Sequence, residues 1–157
     1  MKNKILVSKC LLGKKVRWNG AQKFDSSLLD WLTSNDFEIV PICPEHDLFG
    51  TPRAPIKLIY TDRIRAIQSS MDISSLLESR CKEIVDANPD VVGFIGVYGS
   101  PSCGVSVGVK NLGSVIKGYM HKFGSFPTTE SSQLRSEKNR DIFLKRIEKF
   151  RSKTCLL

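Results

Sequence analysis

Several common devices are missing from this chain. No CxxC pair occurs in its 157 residues, so the paired-ligand spacing of an ordinary structural zinc site is absent. No Walker loop and no GxGxxG turn occurs either, which removes the usual signatures of nucleoside triphosphate and dinucleotide binding. No apolar run approaches the roughly 20 residues that span a bilayer. The opening MKNKILVSKC holds an apolar run too short for a secretion signal, so the expected location is cytoplasmic and no membrane partner is expected. Internal repeats, low-complexity tracts and linkers are also lacking. The cysteines number five, an odd count that argues against a disulfide scaffold and toward metal binding or catalysis.

What is present is ordinary in bulk and specific in detail. Hydrophobic residues make up 41% and charged residues 25%, a globular composition; the length suits one domain across residues 1–157 with a real core. The net charge is +8, which suits an anionic partner such as a nucleotide, phosphate or RNA. The densest basic stretch, RSEKNRDIFLKRIEKFRSK, is interrupted by acids and reads as the solvated face of a helix rather than an RNA stripe.

Apolar patterning predicts an α/β order. KILVS, FEIVPI and VVGFIGV read as buried strands. FDSSLLDWLTSND predicts a helix capped by Asp25 or Ser26. MDISSLLESRCKEIVDANPD predicts another, with Asp72 as N-cap and Asn88-Pro89 as its stop. IKLIY and RIRAIQ alternate around Thr61-Asp62 and predict a hairpin. TTESSQLRSEKNRDIFLKRIEKFRSK predicts a last helix with Ile142, Phe143, Ile147 and Phe150 on one face. Strands alternating with helices assemble into a mainly parallel sheet flanked by helices, with a small hairpin beside it.

Three cysteines stand just after predicted strands: Cys10 after KILVS, Cys43 after FEIVPI and Cys103 after VVGFIGV. Ligands of open parallel sheets gather beyond the carboxyl ends of the strands, so these thiols are expected at one edge. Cys81 shares a helical stripe with Ile73, Leu76, Leu77, Ile84 and Val85 and is expected in the core. Cys155 is expected as an uninvolved surface thiol. Three thiolates on a metal leave a position open. A single zinc would take His46 or His121 as its fourth ligand, whereas an iron–sulfur cluster would keep one iron free for substrate.

The motifs VSKCLLG with VRWNG, PICPEHDLFGTPRAP and GSPSCG, in that order over residues 4 to 130, resemble the family of small bacterial proteins that contains the thiouracil desulfidases, formerly a domain of unknown function. The resemblance implies a Rossmann-like α/β fold. It also implies a 4Fe–4S cluster held by Cys10, Cys43 and Cys103, with one open iron. It implies removal of sulfur from thiolated uracil, as free base or nucleotide. An open, thiophilic iron that polarises the C=S bond of 4-thiouracil or its nucleotide for attack by water would let sulfur leave to that iron by hydrolysis without redox change. Glu45 matches the family's acid/base carboxylate, and Ser100 and Ser102 match the serines beside the substrate. Arg17 and Arg53 are candidates for substrate or phosphate contact, or equally for pairing with a carboxylate and bracing the loops. The chain departs from the family's pattern at Trp18-Asn19 and at Val97-Tyr98-Gly99, which bears on substrate choice. Larger relatives that act on thiouridine in tRNA carry a further C-terminal domain, which makes RNA the lesser expectation here. Two competing readings are an RNA or thionucleotide binding module with a structural metal, and a thiol or zinc hydrolase with Cys10 or Cys43 as nucleophile.

Overall fold

The computed structural model describes residues 2–60, 63–105, 107–108, 115–116 and 118–155. Strand β1 (Asn3–Ser8) is followed by helix α1 (Ser26–Ser34), strand β2 (Phe37–Ile42) and the short helix α2 (Pro44–Phe49). Strands β3 (Ile56–Tyr60), β4 (Ile64–Gln68) and β5 (Met71–Asp72) come next, then helix α3 (Ser74–Asp86) and strand β6 (Val91–Gly96). Strands β7 (Val107–Gly108), β8 (Val115–Ile116) and β9 (Thr128–Glu130) precede the last helix, α4 (Glu137–Thr154).

The main sheet has the order β2-β1-β6-β9, and every pairing in it is parallel. Parallel sheets bury both faces, which is why β1 and β6 are near-continuous apolar runs. Side chains alternate along β1. Ile5 and Val7 join a core layer with Leu28 and Leu32 of α1 and Phe143 and Ile147 of α4. Leu6 faces the other way, into a layer with Phe94, Ala66 of β4 and Leu77, Cys81 and Ile84 of α3. Helices thus cover both faces of the sheet, as expected. Among the described residues no helix is long and apolar enough to cross a membrane.

The hairpin pairs Ile56 with Gln68 through Tyr60 with Ile64, and its expected turn at Thr61-Asp62 lies outside the described residues. A third strand, β5, joins it. Asp25 caps α1 by accepting from the Leu28 amide at 2.9 Å. The helix at Ser74 starts one residue later than an Asp72 cap implies, yet Asp72 still accepts from the Ser74 amide at 2.9 Å.

The expected last helix needs two corrections. Its first third is not α-helical: Thr128–Glu130 pairs with β6 and extends the sheet, Gln133–Arg135 forms a single 3-10 turn, and the helix begins at Glu137, where the Ser136 hydroxyl accepts from the Asn139 amide at 3.4 Å. Ile142 is exposed, whereas Phe143 and Ile147 are buried. Adjacent helical residues point about 100° apart, so Ile142 and Phe143 cannot both centre on one stripe.

Candidate functional site at the carboxyl edge of the sheet

Because β1, β2 and β6 run parallel, the residues following each emerge at the same edge. Cys10 lies on a single helical turn, Lys9–Leu12, directly after β1. Cys43 follows β2 and is the N-cap residue of α2, with Pro44 opening that helix. Cys103 lies in the turn beyond β6. A cavity of about 190 Å³ opens at this edge and is lined by all three cysteines together with Glu45, Ser100, Ser102, Arg17 and Arg53. The five expected non-cysteine residues and the three expected ligands therefore meet in one place.

The turn bearing Cys103 is seated on glycine. A Cβ on Gly96 would fall 1.7 Å from the Cys103 carbonyl oxygen, and one on Gly118 would fall 2.8 Å from that of Ser102. The Cys103 amide donates to Ser100 Oγ at 3.1 Å, and the Gly104 amide donates to the Ser100 carbonyl at 2.8 Å. From behind, the buried Glu130 at the end of β9 accepts from the Val105 amide at 2.7 Å. Helix α2 is tied down by Asp47, which pairs with Arg80 of α3 at 2.8 Å and with Lys9 at 3.6 Å.

Glu45 stands in the first turn of α2, two residues beyond Cys43, with its side chain 11% exposed. Its Oε2 receives Arg53 Nη2 at 3.1 Å, and its Oε1 receives the Ser102 hydroxyl at 2.9 Å; Ser100 Oγ lies 3.4 Å from the same oxygen. Arg53 is 5% exposed and its Nη1 donates to the carbonyls of Val16 and Gly50 at 2.8 and 3.0 Å. One guanidinium thus braces the loop after β1, the turn after α2 and the carboxylate together. Arg17 also lines the cavity, close enough to Cys10 to favour its thiolate, and no carboxylate pairs with it among the described residues. Trp18 and Tyr98 stand at the mouth, 45% and 65% exposed.

Burial dominates the thiols. It pushes Cys10 up to about 11, with the Cys43 charge adding to the effect, and Cys103 up to about 12. Cys43 is raised by the same cause. Three thiolates gathered here repel one another unless a cationic group lies among them, and none of the five cysteines is in a disulfide. Soft thiolates in a site poor in imidazole suit an iron–sulfur group. Among the described residues no three His, Cys, Asp or Glu side chains stand close enough to share one metal ion. The all-thiolate donor set is what fits a cluster of this kind.

Other expected residues lie elsewhere. His46 turns to Thr51, its Nδ1 2.7 Å from Thr51 Oγ1, and does not line the cavity. His121 packs edge-on to Phe94, ring centroids 5.7 Å apart. Cys81 is fully buried, as the periodicity implied, although Leu76 of the same expected stripe is exposed because it points off the buried face; Cys155 is an exposed thiol just past the final helix. Ser8 is a lining residue that sequence reasoning did not single out. A serine ending an otherwise apolar strand, immediately before a cysteine turn, was the available signal for Ser8.

The sequence matches the 2-thiouracil desulfurase family over residues 5–133. Among solved structures, the fold is similar to that of a [4Fe-4S]-dependent thiouracil desulfidase, TudS. The TM-score is 0.66 at 26% sequence identity, over 85% of this chain and 94% of that one. No curated protein matches.

Proposed function

The chain belongs to the 2-thiouracil desulfurase family, and from that premise we propose that it removes sulfur from a thiolated uracil, 4-thiouracil or its nucleotide, by hydrolysis without net redox change. The observation that carries the proposal is the Glu45 carboxylate, held by Arg53 and Ser102 in the same cavity as three strand-end thiols. Cys10, Cys43 and Cys103 would hold a 4Fe–4S cluster, leaving one iron without a protein ligand. When bound, such a cluster supplies a thiophilic Lewis acid for the departing sulfur.

The chain's own residues do the rest. The C=S bond breaks, a C=O bond forms from water, and sulfur leaves with the bonding pair as hydrosulfide. Carbon keeps its oxidation state, so no electron donor is required. Glu45 takes the proton from the attacking water and returns one on the leaving side. Arg53, fixed by two backbone carbonyls, keeps the carboxylate aimed while the proton moves. Ser100 and Ser102 turn their protons toward Glu45 and leave their hydroxyl oxygens to accept from the ring's N–H edge. Arg17 is placed for a carbonyl or, in a nucleotide, a phosphate. Trp18 and Tyr98 offer ring faces to a planar heterocycle at the mouth.

The test is anaerobic reconstitution followed by incubation with 4-thiouracil, 2-thiouracil and 4-thiouridine monophosphate, without reductant. Loss of thiocarbonyl absorbance with stoichiometric sulfide is expected for the 4-thio compounds. Turnover of 2-thiouracil alone would move the reacting carbon, and no turnover by a fully loaded protein would overturn the proposal. Zinc bound in place of iron would favour the hydrolase reading.

A further inference from the structure

Strand β1 ends in a serine whose hydroxyl nothing bonds. Ser8 is 3% exposed, it lines the cavity, and its Oγ has no hydrogen-bond partner. Leaving a buried hydroxyl unpaired is unfavourable. Ser8 follows Ile5, Leu6 and Val7, all fully buried. Groups left this way in a cavity point to a partner that arrives later.

Proton counting narrows what that partner is. The Ser8 hydroxyl stands near enough to the Cys103 sulfur to favour its thiolate, yet makes no hydrogen bond to it in this arrangement. Ser102 Oγ also lies 3.5 Å from this sulfur, but a hydroxyl has one proton, and Glu45 Oε1 takes it at 2.9 Å. Ser100 Oγ accepts from the Cys103 amide and lies 3.4 Å from both Glu45 Oε1 and Ser102 Oγ, so its proton is directed there. Ser8 holds the uncommitted hydroxyl proton.

The geometry points to Ser8 as the hydrogen-bond donor to the Cys103 thiolate once that residue ligates a cluster, an inference that rests on the ligand reading above. A hydrogen bond to a ligand sulfur withdraws electron density from the metal and raises its reduction potential. In a reaction without electron transfer, the same withdrawal makes the iron a stronger acceptor for the substrate's sulfur. Ser8 is a positioning residue acting through Cys103.

The experiment compares Ser8→Ala and Ser8→Thr with the wild type after anaerobic reconstitution. It reads the cluster's midpoint potential and the rate of iron loss to a chelator. Ser8→Ala is expected to shift the potential negative and to speed iron loss about tenfold, the loss of one hydrogen bond to a charged acceptor. Ser8→Thr is expected to keep both near wild type. The metal-free Ser8→Ala protein is expected to melt no lower than the metal-free wild type, because the hydroxyl is unpaired there. An unchanged potential in fully loaded Ser8→Ala, or a clear drop in its metal-free melting temperature, would overturn the inference alone. A wild type that takes up no cluster would overturn the ligand reading and this inference with it.

Discussion

Adding one methyl group to Gly96 should empty the proposed metal site while leaving most of the fold in place. The Cβ of Gly96→Ala would meet the Cys103 carbonyl oxygen at 1.7 Å and its carbonyl carbon at 2.9 Å; both are backbone atoms, and real Cβ contacts stay above 3.0 Å. The turn carrying Ser100, Ser102 and Cys103 must therefore lift off β6. The hydrogen bonds from Ser102 to Glu45 and from Cys103 to Ser100 move with it. Overpacking of this kind costs about 1–3 kcal/mol, a tolerable loss for a domain of this size. Gly93, three residues earlier in the same strand, is the internal control. Its added Cβ meets the Phe143 side chain at 3.2 Å and Ile5 at 3.4 Å, contacts that side-chain adjustment relieves for about 1 kcal/mol or less. Iron and sulfide per chain, read beside thermal melts, should show Gly93→Ala loaded and Gly96→Ala folded but nearly empty. Full iron content in Gly96→Ala would refute the seating of Cys103 and its assignment as a ligand.

Glu45→Gln keeps the side chain's shape but loses the base, and an amide cannot satisfy both Arg53 and Ser102 as the carboxylate does. Turnover should fall about 10²- to 10⁴-fold with the cluster retained, and stability by about 3 kcal/mol; near-normal turnover would remove Glu45 from the chemistry. Arg17→Ala should raise KM for 4-thiouridine monophosphate more than for the free base, and an equal change for both would show that Arg17 does not read the phosphate. In the metal-free protein, burial holds Cys10 near 11 and Cys103 near 12 against 9.0 in the unfolded chain. Their contribution to stability is complete below about pH 9 and is lost as pH rises through 11 to 12, on the order of 2 kcal/mol for Cys10. Urea melts at about pH 8 and about pH 10.5 should differ accordingly, and equal midpoints would contradict the burial of these thiols.

The strand-end cysteines were legible because their signals are local: an apolar run, then a turn, then a thiol. Parallel topology converted three such signals into one edge. Cys81 was legible by the same logic, since a period of three and four marks a buried stripe. The three-residue strand β9 was hidden in a polar run that also suits a helix entry, and only pairing with Phe94–Gly96 makes it a strand. Arg53 was legible as a candidate, but its place beneath Glu45 depends on the carbonyl of Val16, far away in sequence. Ser8 lay within a run read as a buried strand; that its hydroxyl has no partner is visible only in the folded chain.

The central claim is that Cys10, Cys43 and Cys103, and no other cysteine, hold the cluster. Iron counted per chain after anaerobic reconstitution of the three single serine variants and of Cys81→Ala tests it most directly. The account predicts about four irons in the wild type and in Cys81→Ala, and little or none in Cys10→Ser, Cys43→Ser and Cys103→Ser. A loaded Cys10→Ser, Cys43→Ser or Cys103→Ser, or an empty but folded Cys81→Ala, would contradict it.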